Sequence, residues 1–215
     1  MKILAFELSS ALGSLAWRDA EVEVLRNWPN DRKNSAAFFE NLQATKRQFG
    51  DPETIIVGLG PGSYAGTRIA ISAAIGMQLS CDARLIGWPS ICAMESGAEE
   101  YCVVGDARRN SFFFARILKN ELIEGPNLFS GPDLKPKLES FGPAMPVFSS
   151  EVLPHFDRPI VHFPSALTPA KLSEEPGHSA FLLPLELICM REPHTTFGKC
   201  NKLSVAALHS VAARS

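Results

Sequence analysis

From residue 55 to 69 the chain reads Ile55-Ile56-Val57-Gly58-Leu59-Gly60-Pro61-Gly62-Ser63-Tyr64-Ala65-Gly66-Thr67-Arg68-Ile69. A β-branched run feeds a glycine-crowded loop, which opens onto an uncharged segment from Ile69 to Cys81. The pattern specifies strand, tight loop and buried helix. Such a loop can do chemistry. Glycine lets a ligand approach the backbone, free N–H groups at a helix start attract an anion, and Ser63 adds a hydroxyl. The phosphate-binding fingerprints are not met, however. No G-K-[ST] follows, no lysine lies between Asp51 and Arg84, and Gly58-Leu59-Gly60-Pro61-Gly62 is followed next by Gly66. Gly58, Gly60, Pro61, Gly62 and Gly66 are therefore expected to form a packing corner, with a generic anion site as the weaker reading. Arg68 opposes the macrodipole at its helix start, so a carboxylate partner is expected for it, from its own domain or from another chain.

Two acidic residues stand at strand ends. Glu7 closes the first apolar run, and Asp106 closes a later one in Gly105-Asp106-Ala107-Arg108-Arg109. Facing one cleft, they would suit a metal–nucleotide site, with Ser9 and Ser63 as hydroxyl neighbours. The set is incomplete, because Glu7 is followed by Leu8-Ser9-Ser10-Ala11 without a glycine to wrap a phosphate. Asp106 beside two arginines also suits an internal ion pair or a turn. The five histidines form no H-E-x-x-H or H-x-x-x-H, and the five cysteines no C-x-x-C. No metal-ligand set is therefore expected, and the thiols read as reduced.

The elements that must position these groups follow from periodicity. Strands are expected over Lys2 to Glu7, Ser14 to Trp17 and Glu21 to Trp28. A helix capped by Asn34 or Ser35 should run to about Phe49, with Phe38, Leu42 and Phe49 on one stripe and Phe39 off it. Thr54 to Val57 is the strand before the glycine loop. In the helix after it, Arg68, Ile71, Ile75 and Leu79 share one side; Ile69, Ala70, Ala73, Gly76 and Met77 share the other. A helix apolar nearly all round is buried on both sides. Its small-residue side lets another helix approach closely, either from this chain or from a partner, and with Phe39 it is the candidate interface. Further expectations are a strand at Arg84 to Gly87, a helix from Pro89-Ser90 to Ser96 and a strand at Tyr101 to Val104. A hairpin should turn at Lys119-Asn120, with a helix from Gly131 to Phe141 and a strand at Pro146 to Phe148. A late strand over Leu182 to Met190 and a terminal helix over Lys202 to Ala213 complete the reading. The plan β-β-β-α-β-α in an α/β fold is expected to start again at Tyr101 in reduced form. This sets an N-terminal lobe at 1–100 and a smaller one at 101–215.

Composition bounds the function. A chain of 215 residues with 46% hydrophobic content and 20% charge buries an ordinary core. Its net charge of −2 argues against a broad nucleic-acid footprint. Glu7 interrupts the first apolar run too early for a signal peptide, and no apolar run reaches the ~20 residues that span a bilayer. A cytoplasmic protein without a membrane partner is expected.

Four blocks in order resemble the bacterial TsaB (YeaZ) family of the actin-like/Hsp70-like ATPase superfamily: Ile3–Ser9, Gly58–Ile69, Gly87-Trp88-Pro89-Ser90 and Gly105–Arg109. The resemblance covers about residues 1–125 and departs where the family has Asp for Glu7, Thr for Leu8 and Thr for Ala65. It implies a two-lobed actin-like (ribonuclease H-like) fold with a decayed nucleotide site. It also implies a non-catalytic dimerisation subunit, cofactor-free apart from vestigial ATP or ADP binding. The partners implied are the catalytic paralogue TsaD and the ATPase TsaE, with a homodimer as a further association and tRNA met only through the complex. The reaction served is transfer of threonylcarbamoyl to N6 of adenosine 37 in tRNA (t6A). In that family the first two helices form the dimer face, here about 34–49 and 63–80. The alternatives are a nucleotide-dependent ATPase or phosphotransferase on the same fold and a glycoprotease-like (M22-like) peptidase, for which no metal motif is present.

Overall fold

The computed structural model describes residues 1–30, 35–174 and 185–190. The chain builds the same five-stranded mixed sheet twice. In the first, β1 (Ile3–Glu7), β2 (Leu12–Arg18) and β3 (Glu23–Pro29) form antiparallel hairpins. Helix α1 (Ala36–Phe49), β4 (Thr54–Gly58), α2 (Tyr64–Cys81) and β5 (Arg84–Trp88) follow, with β4 and β5 parallel to β1. The strand order is β3-β2-β1-β4-β5. The second sheet uses β6 (Glu100–Asp106), β7 (Ser111–Leu118), β8 (Glu121–Ser130), α3 (Gly131–Glu139), β9 (Val147–Ser149) and β10 (Ile160–Val161). Its order, β8-β7-β6-β9-β10, repeats the first with the same strand directions. The crossover from β9 to β10 carries no helix, which is where the second lobe is reduced.

Alternation along each strand divides the core. Leu4, Phe6, Leu15, Trp17, Ile55 and Val57 face α1 and α2. On α1 the expected stripe docks: Phe38 meets Phe6 edge to face, and Phe49 stacks on Trp17. Ile3, Ala5, Ile56, Ile86 and Trp88 face the other way. They share one core with Tyr101, Val103, Phe113, Ala115 and Phe148 of the second sheet, so the two lobes are joined by apolar contact. Helix α4 (Leu167–Leu172) belongs to the second half of the sequence but lies on this same core, and the N–H of Ala166 donates to Ser14 Oγ at 2.9 Å. Cys102, Val104, Phe114, Leu134 and Leu138 form the core under α3.

Several expectations are corrected. The helix from Pro89-Ser90 to Ser96 is a single 3-10 turn, Ser90–Cys92. Its carbonyls are taken by the second lobe, Ile91 O by the Tyr101 hydroxyl and Cys92 O by Asn120 Nδ2. Strand β8 runs past Ile123 to Ser130, and β10 has no periodic signal because it is two residues long. Residues 185–190 form no strand; Ile188 alone makes a bridge. Cys81, Cys92 and Cys102 are free thiols, whereas Cys189 is disulfide-bonded, so the all-thiol reading fails there. Asn34, the start of the expected late strand at 182–184 and the terminal helix expected over 202–213 lie outside the described residues. Among the described residues no helix is long and apolar enough to cross a membrane.

Candidate functional site

The ends of β1, β4 and β6 open on a cleft of 510 Å³ between the lobes. Ser9, Ser10, Pro61, Gly62, Ser63 and Tyr64 line it from the first lobe. Asp106, Arg108 and Glu151 line it from the second, and Leu187 to Met190 also border it. Three of the four weak anion-site candidates, Ser9, Ser63 and Asp106, are thus brought together. The fourth, Glu7, is not on the cleft wall.

Glu7 points inward and is 2% exposed. Its Oε1 accepts the Ser9 N–H at 2.7 Å, and Ser9 and Ser90 hydroxyls donate to the carboxyl. A Cβ on Gly58 would stand 1.9 Å from Glu7 Oε2. Gly58 is therefore the space that the carboxyl fills. Burial pushes this carboxyl above its ordinary value of 4.5, against the opposing hydrogen bonds from Ser9 and Ser90. The expectation of two acidic strand ends facing one cleft is corrected: only Asp106 faces it. Asp106 accepts the Arg108 N–H at 2.6 Å and pairs with the Arg108 guanidinium at 3.1 Å, while its own N–H donates to Glu151 Oε1. Among the described residues no group of three His, Cys, Asp or Glu side chains gathers as a metal site.

The glycine loop is a tight corner. Ser63 caps α2 by accepting the Gly66 N–H at 3.2 Å, and its own N–H donates to Ser9 O at 2.6 Å. A Cβ on Gly62 would lie 2.2 Å from Ser9 O, and one on Gly66 would lie 2.1 Å from Leu8 O. The turn after β1 therefore presses carbonyl oxygens onto the start of α2, where a phosphate would sit. Asn30 Nδ2 holds that turn by donating to Leu8 O and Ser10 O. Gly60, at φ +89°, donates its N–H to Ser90 Oγ at 2.9 Å. Ser90→Ala removes that acceptor and a donor to Glu7. Leaving such groups unpaired costs about 1–3 kcal/mol, so its urea midpoint should fall with an unchanged m-value.

Arg68 finds no carboxylate among the described residues. It stacks over the Tyr64 ring, 5.3 Å from the centroid, and hydrogen-bonds the phenol at 3.3 Å, so within the described residues a ring and a hydroxyl, not a salt bridge, hold it. On α2, Ala70 and Met77 sit in the first lobe's own core, and Ile69 and Ala73 are half-buried. The expected interface side is therefore corrected for Ala70 and Met77: their neighbours at core spacing are Thr67 and Ala74, which also face the sheet. Gly76 is open, with nothing within 4 Å of its Cβ position, and Phe39 is 48% exposed. The outward apolar groups on α2 are Ile75 at 44% and Leu79 at 86%. Glu151 and the segment 187–190 were missed from the sequence, because neither carries a motif and both reach the cleft only through tertiary folding.

Residues 35–130 match the family model of TsaD, tRNA N6-adenosine threonylcarbamoyltransferase. No curated protein matches the chain. Among solved structures, an uncharacterized protein from Pseudomonas aeruginosa with similarity to peptidase YeaZ superposes with a TM-score of 0.61. It is 18% identical over 80% of this chain and 89% of its own. YeaZ from Pseudomonas aeruginosa gives 0.59 at 15% identity, over 80% and 91%. The chain thus has the fold of these two structures, and the expected α/β architecture of two mixed five-stranded sheets with helices is the one found.

Proposed function

We propose that this TsaB-like chain is a non-catalytic subunit in the formation of N6-threonylcarbamoyladenosine at position 37 of tRNA, acting on a TsaD-like catalytic partner. The observation that carries this reading is the state of the glycine corner. The Ser63 N–H and hydroxyl are engaged by the chain itself, backbone carbonyls cover the start of α2, and Glu7 is turned into the core. A chain that keeps the fold but commits its phosphate-binding positions to packing fits a scaffold better than an ATPase. The outer side of α2 supplies a surface for that scaffold. Leu79 and Ile75 stand in the open, and burying each would contribute about 1.5–3 kcal/mol to an association. The surface lies within the segment that matches the TsaD family. A TsaE-like ATPase completes the proposed assembly, and tRNA is met through the complex.

The test is reconstitution with a TsaD-like catalytic subunit and tRNA, reading both co-purification and modified adenosine. Ile75→Arg with Leu79→Arg should weaken association at least ~100-fold, since two buried cations without partners cost several kcal/mol. Stability should stay within about 0.5 kcal/mol, because both sites are exposed. Unchanged association would remove α2 from the interface. Millimolar affinity or better for Mg-ATP by the isolated chain would favour the ATPase reading instead.

A further inference from the structure

Helix α4 is reached only after the second sheet is complete, yet it packs on β1 and β2 of the first. Ala166 and Ala170 are fully buried there, in one core with Ala5 and Ala16. At its outer edge Lys171 pairs with Glu23 at 3.1 Å and Glu174 with Arg18 at 3.0 Å, while Arg18 and Glu23 pair with each other. The chain returns to the first lobe beside the path by which it left. Met94 and Pro164 form an antiparallel bridge, and the Ser165 N–H donates to Ala93 O at 2.9 Å.

We infer that α4 completes the first lobe and keys it to the second, so that the two lobes form one mechanical body and the cleft keeps a fixed width instead of closing by a hinge. Domains move relative to one another by default unless their interface is large and apolar. Here the inner face of each sheet covers the other. Ile86 and Trp88 of the first sheet lie in one core with Tyr101, Phe113 and Phe148 of the second, and with Ala166 and Ala170 of α4. Two polar pins reinforce it: the Tyr101 hydroxyl donates to Ile91 O at 3.1 Å, and Asn120 Nδ2 donates to Cys92 O at 2.8 Å. Rotation about the paired crossing would draw Trp88 and Tyr101, each 1% exposed, toward water and would unpair both carbonyls. The ion pairs are half-exposed, so they orient α4 more than they hold it. A cleft of fixed width takes only what fits it as it stands, and the key would act alike in a scaffold and in an enzyme.

Inter-lobe distance in the full chain tests this. Spin labels replace Glu40 on α1 and Lys135 on α3, both exposed, in a chain carrying Cys81→Ser so that its part-exposed thiol stays unlabelled. Double electron–electron resonance should give a single narrow distance, the same with and without millimolar Mg-ATP. A second population, or a shift on adding Mg-ATP, overturns the inference. Native-state hydrogen exchange at Ile56 in β4 and Val103 in β6 gives an independent reading. Both amides should open with the same free energy and the same urea slope. Ala170→Asp puts a carboxylate on the buried face of α4 and should accelerate both by the same factor, at least about tenfold. Acceleration at Ile56 alone would show that the lobes come apart separately and overturns the inference. Should Ala170→Asp fail to fold, the wild-type amides still decide, because unequal urea slopes at Ile56 and Val103 overturn it as well.

Discussion

Gly66→Ala is expected to destabilise the chain by at least about 4 kcal/mol, a loss reserved for substitutions that collide with something unable to move. The added methyl would stand 2.1 Å from Leu8 O, a backbone atom. That oxygen accepts from Asn30 Nδ2, and the next carbonyl, Ser9 O, holds the Ser63 N–H at 2.6 Å. Relief would require α2 to retreat from the end of β1, uncapping its first turn and exposing the core behind Ala70 and Ala74. On propensity alone the same change in a helix is stabilising by roughly 1 kcal/mol. Gly76→Ala supplies that control, on the same helix with open space around the Cβ position. Urea unfolding followed by circular dichroism should therefore move in opposite directions for the two variants. A Gly66→Ala midpoint within error of wild type would show that the corner is not the tight contact drawn here.

That contrast bears on what a sequence discloses. Gly66 and Gly76 look alike in a string of small residues, and nothing local separates a glycine required by the carbonyl of Leu8, far upstream in the chain, from one that is merely tolerated. The corner itself was legible because strand, glycines and Ser63 are contiguous. The repeated sheet was legible because its strands alternate and its turns carry Asn, Asp and Gly. The direction of α2 was not. An apolar helix with small residues on one side could place either side inward, and the sheet took Ala70, Ala74 and Met77. Close approach to a sheet calls for small residues as much as helix contact does. Glu7 was misjudged for a related reason. A carboxyl at a strand end reads as a cleft ligand, and only the missing side chain of Gly58, on a neighbouring strand, gives it room to turn inward.

Glu7 gives the other large effect, and its sign follows from linkage. Burial raises the folded-state value of this carboxyl above 4.5, so the folded chain holds the proton more tightly than the unfolded chain does. The contribution to stability is fully present below 4.5 and is lost as pH rises through the raised value. Glu7→Gln keeps an acceptor for the Ser9 N–H and an amide donor for a serine oxygen but cannot ionise. Its stability relative to wild type should therefore increase with pH, reaching about 1–3 kcal/mol in its favour once the wild-type carboxyl must carry a buried charge. Urea unfolding of both proteins at matched pH between 5 and 8 isolates the effect, because every other titrating group cancels in the difference. A difference that stays constant over that range would show that Glu7 titrates alike in the folded and unfolded chains. A rising one would mark Glu7 as a neutral pin joining the end of β1 to Ser90 and the glycine corner. A carboxyl that prefers its proton, facing away from the cleft, is poorly suited to hold a divalent cation, and that ties this titration to the non-catalytic role proposed for the fold.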